Sequence, residues 1–378
     1  MNYYKLCDIC DFQGGSQPPK EEWSLDLKDG YIRMLQIRDF TQSERIVPEY
    51  IKITNSTKTC DEDDILIARY GASLGKILTG LAGAYNVAIM KTIPNTDVLE
   101  KRYLYYYLKS PVFQGFLSNV GSRAAQAGFN KNDLKDLVIP NISKEKQRAV
   151  VDVLERVDSI IVSRQQELMK LDELIKARFV ELFGDINTNN KGWDSQPLGE
   201  LCTIVRGGSP RPIENYLGGD VPWIKIGDAT KDDNVYLHAT REHIIRDGVK
   251  KSRMVKAGSL IFANCGVALG FARIITFDGC IHDGWLAMED IDGRLDKVFL
   301  LQTLNQMTEH FRKIAPAGTQ PNLNTAIMKA YEQIIPPLDL QREFIVFVHQ
   351  VDKSKAVVQE SLNKAQLLFD SLMQQYFG

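Results

Sequence analysis

The sequence predicts an α+β fold built from two copies of one unit, each a mixed α/β globular region followed by a long α-helix. Three observations predict it. The chain repeats itself: Gln147-Arg148 returns as Gln341-Arg342, Val157-Asp158 as Val351-Asp352 and Phe183-Gly184 as Phe377-Gly378, each 194 residues later. A tandem duplication of this kind settles the architecture before any single motif does. Two segments carry a sustained 3/4 apolar alternation, and neither proline nor glycine interrupts the first of them between Glu145 and Phe183.

In chain order, the first globular region covers residues 1–144. It contains the β-rich run Ile65-Leu66-Ile67-Ala68 and two glycine loops, Gly14-Gly15-Ser16 and Gly71…Gly75. Residues 145–184 form the first helix, with Val150, Leu154, Val157, Ile161, Arg164, Leu168, Leu171, Ile175, Arg178 and Leu182 on one line. Alternating spacings of four and three make the seam of a coiled coil, narrower than the stripe of a core helix. At 1.5 Å per residue the stretch Glu145–Phe183 is about 58 Å long.

The second globular region, 185–338, repeats the plan with Leu260-Ile261-Phe262-Ala263, the loops Gly207-Gly208-Ser209 and Gly266…Gly270, and a helical run Lys297–Lys313. Residues 339–378 form the second helix, whose seam is Phe344, Val348, Val351, Lys355, Val358, Leu362, Ala365, Phe369, Leu372 and Tyr376. Pairing the two helices buries both seams. The connection between them permits either direction; we expect the antiparallel one, which relates the units by a pseudo-two-fold axis and carries them to opposite ends.

Bulk properties bound the function. The chain has 378 residues, 44% hydrophobic and 25% charged, as suits two globular domains. No run approaches the roughly 20 apolar residues of a membrane span, and Met1-Asn2-Tyr3-Tyr4-Lys5 lacks the pattern of a signal peptide, so a cytoplasmic location is expected. Six cysteines are too few for a disulfide framework. Cys7 and Cys10 have the spacing of half a zinc site, but no second pair completes four ligands, and we expect no metal.

Net charge is −2, so any nucleic-acid contact must come from a local concentration of basic residues. Residues 241–256 provide one: Arg241, Arg246, Lys250, Lys251, Arg253 and Lys256 against Glu242 and Asp247, a net +4. A solvated helix face would read the same way.

A pseudo-symmetric pair of domains on a helical spacer suits a ligand with the same symmetry, and duplex DNA is one. The scaffold repeats between copies while residues beside the loops differ: Arg69-Tyr70-Gly71 corresponds to Asn264-Cys265-Gly266. Side chains that read two different half-sites should differ in this way.

Ile139-Pro140 through Gln147-Arg148, and Ile335-Pro336-Pro337 through Gln341-Arg342, place a proline and a Gln-Arg pair ahead of each long helix. With Phe183-Gly184-Asp185, Lys191-Gly192-Trp193, Leu198-Gly199 and the loop Gly318-Thr319-Gln320-Pro321-Asn322-Leu323-Asn324, these features give the chain a full-length resemblance. It resembles the specificity (S) subunit of type I restriction–modification systems. The first copy departs from the family's loop, reading Gly121-Ser122-Arg123-Ala124-Ala125-Gln126-Ala127-Gly128-Phe129-Asn130 with a longer spacing.

The resemblance implies two target-recognition domains that read the halves of a bipartite site. It also implies a complex with two modification (M) subunits, which bind S-adenosylmethionine and methylate adenine. Restriction (R) subunits would add translocation and cleavage driven by ATP with magnesium. No cofactor is expected on this chain itself.

The residues agree with a non-catalytic role. Gly71-Ala72-Ser73-Leu74-Gly75-Lys76 is one residue short of a phosphate-binding loop and lacks the Ser/Thr for magnesium. No Asn-Pro-Pro-aromatic element is present to hold a flipped adenine. His282-Asp283 without further partners reads as a hydrogen-bonded surface pair. The alternatives are a recognition subunit of another nuclease–methyltransferase assembly, a free-standing pseudo-dimeric DNA-binding regulator, and a scaffold that binds only protein.

Base-edge contacts specify and phosphate contacts position. Arg69, Tyr70, Arg123 and Gln126 are the base-reading candidates of the first copy, and Asn264, Thr319, Gln320 and Asn322 those of the second. Arg can present two donors to guanine, and Asn can bond bidentately to adenine. Lys131, Lys135, Arg241, Arg246, Lys250, Lys251 and Arg253 are phosphate candidates. Asn130 and Asn324, present in both copies, read as helix caps.

Overall fold

The structure is a computed structural model that describes residues 2–42, 46–121, 128–229, 235–266, 269–316 and 322–378. It forms two compact units, residues 1–166 with 358–378 and residues 167–357. Both boundaries fall inside the long helices, which run Lys144–Phe183 and Leu338–Phe377, 40 residues each.

The first unit holds β1 (Tyr3–Lys5), β2 (Cys10–Gly14), β3 (Tyr31–Leu35), β4 (Tyr50–Lys52), β5 (Thr59–Cys60), β6 (Leu66–Ala68), β7 (Ile77–Leu78), β8 (Gly83–Tyr85), β9 (Ile89–Pro94) and β10 (Val138–Pro140). One sheet has the order β2-β9-β6-β7 and a second β4-β3-β8-β5, with β1 paired to β10. All pairs are antiparallel except β3 with β8.

The second unit holds β11 (Ser195–Pro197), β12 (Thr203–Arg206), β13 (Leu217–Ile224), β14 (Tyr236–Leu237), β15 (Glu242–Ile244), β16 (Arg253–Val255), β17 (Leu260–Ala263), β18 (Ala272–Ile275), β19 (Gly279–Ile281), β20 (Trp285–Glu289) and β21 (Glu332–Ile334). Its sheets run β12-β20-β17-β18-β14 and β15-β13-β19-β16, with β11 paired to β21. The topology of the first unit thus returns strand for strand, including the one parallel pair, β13 with β19. The addition is β14, parallel to β18. The predicted β runs are the central strands β6 and β17, buried along their whole length, which is why they read as continuous apolar stretches.

Helices Lys101–Lys109 and Pro111–Gly121 follow the sheets of the first unit, and Lys297–Gln306 and Thr308–Ile314 those of the second. The predicted run Lys297–Lys313 is therefore two helices that meet at Met307. These helices carry large aromatic side chains onto the long ones. In the first unit Phe377 packs on Tyr103 with ring centroids 5.1 Å apart, and in the second Phe183 packs on Phe299 at 4.8 Å. The repeated Phe-Gly at each helix end is thus an anchor against an equivalent aromatic site.

Each unit pairs one half of each long helix. In the first, Val150, Leu154, Val157 and Ile161 share a core with Ala365, Phe369, Met373 and Phe377. In the second, Ile175, Phe179 and Phe183 share one with Phe344, Val348 and Val351. The direction in the second unit is antiparallel, because Asp172 faces Lys355 at 2.6 Å while Arg178 faces Glu343 at 2.6 Å. These two ion pairs also explain how Arg178 and Lys355 sit on an apolar seam: each buries its stem and finds a carboxylate across the helix pair. The remaining seam residues, Arg164, Leu168, Leu171, Leu182, Val358, Leu362, Leu372 and Tyr376, are buried or half-buried.

Candidate nucleic-acid interface

After β6 and β17 the chain makes the same turn twice. Gly71 and Gly266 have φ of +69° and +75°, the left-handed region that favours glycine. The turns close identically: Gly75 N–H donates to Ala68 O and Gly270 N–H to Ala263 O, both at 2.9 Å. The N–H groups of Leu74, Gly75 and Lys76 all donate to backbone carbonyls, so they do not form a phosphate cradle. This turn sets Arg69 equivalent to Asn264 and Tyr70 to Cys265. The bridges Tyr70–Gly128 and Cys265–Asn322 confirm the register.

The loops after β2 and β12 lie beside these turns. Gly15 N–H donates to Ile89 O and Gly207 N–H to Trp285 O. Gly15 is therefore equivalent to Gly207, one residue away from the match that Gly14-Gly15-Ser16 and Gly207-Gly208-Ser209 suggest. A Cβ at either glycine would fall 2.1 Å from a backbone carbonyl, that of Asn86 or His282, so neither position tolerates a side chain.

The sequence candidates separate on this scaffold. Arg69 is half-buried; its Nε donates to Phe129 O at 3.1 Å and its Nη1 to Val87 O at 3.3 Å. Tyr70 is exposed, with the Arg69 guanidinium 5.1 Å from its ring. Asn264 requires a correction. It is fully buried, and its Nδ2 donates to Leu323 O at 3.1 Å and to Asn322 Oδ1 at 3.2 Å, so it holds the loop instead of facing solvent. Asn322 is half-buried. Arg123, Gln126, Thr319 and Gln320 lie outside the described residues. Asn130 and Asn324 cap short helices, accepting from the N–H groups of Asn132 and Ile327.

The 241–256 stretch is a strand, one helical turn and a strand, not a helix face. Arg241 is bound to Asp228 at 2.9 Å, Arg246 to Asp220 at 3.2 Å and Lys256 to Asp278 at 2.8 Å. Lys251 donates to the Tyr216 hydroxyl. Lys250 and Arg253 are exposed and carry no ion pair among the described residues. In the first unit Lys131 pairs with Asp11, while Lys135 is exposed.

The sequence shows the His282-Asp283 pair but not the polar cluster built around it in the second unit. Ser209 Oγ donates to Asp283 Oδ1 at 2.8 Å, Arg211 lies 3.5 Å from Asp283 Oδ2, and Arg206 Nε donates to Asp283 O at 3.1 Å. His282 Nε2 meets Asp283 Oδ1 at 3.0 Å, and its Nδ1 accepts from Gly284 N–H at 2.9 Å. Burial works to raise the Asp283 carboxyl, but Ser209, His282, Arg211 and Arg206 together hold it below the usual range. Burial pushes His282 down. Ser209 and His282 both bond to the carboxylate and not to each other, so the three do not form a nucleophilic triad. The clue in the sequence was Gly208-Ser209-Pro210-Arg211-Pro212, a rigid loop rich in donors and different from its first-copy equivalent.

The six cysteines are free, and burial pushes the Cys10 thiol up to about 12. Among the described residues no helix is long and apolar enough to cross a membrane.

Two copies of one α+β unit, with differing side chains displayed on a shared loop scaffold, define a recognition protein. Residues 1–172 and 190–367 match the family model of the type I restriction modification DNA specificity domain, and the chain belongs to that family. It is similar to the type I restriction enzyme MjaIX specificity subunit of Methanocaldococcus jannaschii, 23% identical over 90% of this chain and 84% of the relative. The MjaVIII specificity subunit of the same organism is 21% identical over 85% and 80%. Its fold is similar to a solved structure from a study of type I restriction–modification complex assembly, with a TM-score of 0.62, 18% identity and coverage of 100% and 97%. The S subunit of M. genitalium matches with a TM-score of 0.54, 16% identity and coverage of 100% and 96%. Specificity subunits are the non-catalytic recognition components of systems that act on DNA with partner subunits.

Proposed function

We propose that this chain reads a bipartite duplex DNA target, one half-site per globular region, and directs adenine methylation and restriction by partner M and R subunits. The observation that carries the reading is the strand-for-strand duplication within a chain of the specificity family. Residues 1–144 and 185–338 act as the target-recognition domains, and 145–184 and 339–378 as the spacer helices. S-adenosylmethionine belongs to the M subunits, and ATP with magnesium to the R subunits. The complex works in the cytoplasm, where its DNA is.

Arg69 and Tyr70 of the first region and Asn322 of the second are base-reading residues of this proposal, together with Arg123, Gln126, Thr319 and Gln320. Lys135, Lys250 and Arg253 are its phosphate contacts, because exposed cations without carboxylate partners lose the least on meeting a phosphate. Exposed apolar side chains on the long helices dock the two M subunits, among them Ile160 and Leu367 in the first unit and Met169, Leu174 and Val357 in the second.

Mapping methylated adenines in the native genome with and without the gene tests the proposal. A two-part motif that disappears with the gene is expected. An unchanged methylation pattern would exclude it.

A further inference from the structure

The middle residues of the β8–β9 and β19–β20 loops, Val87 and Asp283, are equivalent, and each accepts a hydrogen bond from an arginine. The arginines come from different strands. Arg69 follows β6, and its Nη1 reaches Val87 O. Arg206 is the last residue of β12, and its Nε reaches Asp283 O.

The register makes the exchange explicit. Gly14 pairs with Met90 on β9, and Arg206 pairs with Leu286 on β20, so Gly14 and Arg206 occupy one position of the fold. A Cβ at Gly14 would lie 3.2 Å from Arg69 Nη1, so the glycine leaves room for that guanidinium. In the second unit the long side chain stands at 206. The residue equivalent to Arg69 is the short Asn264, which keeps only the inner bond: Arg69 Nε binds Phe129 O, and Asn264 Nδ2 binds the equivalent Leu323 O.

We infer that Arg206 is a specificity-determining residue of the second half-site and the functional counterpart of Arg69. This assignment rests on the DNA-reading function proposed above. The Asp283 carbonyl fixes the guanidinium at Nε, leaving Nη1 and Nη2 without an acceptor among the described residues. The Asp283 carboxylate is held by Ser209, His282 and Arg211. Arg206 is exposed, so the remaining fork of two parallel donors is open to an external partner. That fork matches the O6 and N7 acceptors of guanine in the major groove, and a pre-oriented arginine loses little rotamer freedom on binding them.

The test uses the full chain in complex with its methyltransferase, its mapped target and every single-base-pair variant of that target. Arg206→Lys keeps the charge and removes the fork. Discrimination at one G·C pair of the second half-site should fall roughly tenfold or more, with the first half-site unchanged. Asn264→Ala should instead lower the unfolding midpoint and weaken all second-half-site variants alike. Unaltered discrimination by Arg206→Lys at every position would overturn the assignment. So would an equal loss on all variants by Arg206→Ala at an unchanged unfolding midpoint, which marks a phosphate contact. A wild-type complex with no preference for a two-part target would refute the functional reading itself and not this residue's place in it.

Discussion

Gln147 and Gln341, both buried, hold identical positions in the two units and make the same three hydrogen bonds. Gln147 Oε1 accepts from Glu100 N–H at 2.9 Å while its Nε2 donates to Val98 O and Ile142 O. Gln341 Oε1 accepts from Asp296 N–H at 2.8 Å while its Nε2 donates to Arg294 O and Pro336 O. Each amide locks the start of a long helix to the segment that opens the preceding short helix. The repeated Gln-Arg pair is therefore explained by its glutamine. Replacing either by Ala strands one donor and two acceptors away from water. We expect Gln147→Ala and Gln341→Ala each to cost about 1–3 kcal/mol. Urea unfolding of the full chain measures this; a loss below a few tenths would show that water replaces the amide.

His282 sets an acid limit on the second unit. Its Nδ1 accepts from Gly284 N–H, and burial keeps the ring below the usual 6.5 despite Asp283 alongside. Below pH 6.5 the unfolded chain takes up a proton that the folded one refuses. Stability therefore rises with pH through this window, and falls as pH drops below 6.5 toward the folded value. The Asp283 carboxyl acts in another window, adding stability that is lost only as pH falls below 3.8. The unfolding midpoint should drop between pH 7 and pH 5. His282→Asn keeps an acceptor for Gly284 and cannot titrate, so it should flatten that slope. An unchanged slope would place the titration elsewhere.

Val357 and Leu367 are each 69% exposed on the second long helix, an unusual placement for large apolar side chains unless a partner covers them. Burying one such side chain is worth about 1.5–3 kcal/mol. Leu367→Glu should weaken capture of the methyltransferase by about tenfold or more without shifting the unfolding midpoint. Native mass measurement of the wild-type complex should give two M subunits per chain. A saturated one-to-one complex would count against the docking surface.

The scaffold was legible because its physics leaves marks on the sequence. A helix pair needs an apolar line at fixed spacing, and Leu154 or Val351 can only be read one way. The Gly71 and Gly266 turns need φ above zero, so the glycines recur. The display side chains leave no such mark. Spacing alone does not tell which way a loop residue points, so the repeat makes Asn264 a base-reading candidate like Arg69, although it is fully buried. Arg206 escaped notice for a related reason: its guanidinium reaches the site of Arg69 from another strand. The repeat pairs positions along the chain, whereas a ligand meets positions in space.

Reading and holding separate most cleanly at Arg69 and Lys250. Arg69 is half-buried and anchored through Nε and Nη1, which leaves its Nη2 without an acceptor among the described residues. Arg69→Ala should cost about 1–3 kcal/mol at one base pair of the first half-site and relax choice there. Lys250 is exposed on the turn between β15 and β16 with no ion pair among the described residues, which suits a phosphate. Lys250→Ala should weaken binding to all sequences alike and reduce the salt slope by about one unit. Competition binding against single-base variants, repeated at several salt concentrations, measures both effects together. If Arg69→Ala weakens every variant equally, its bonds to Phe129 and Val87 are its whole role, and the first half-site is read by Tyr70 and its neighbours instead.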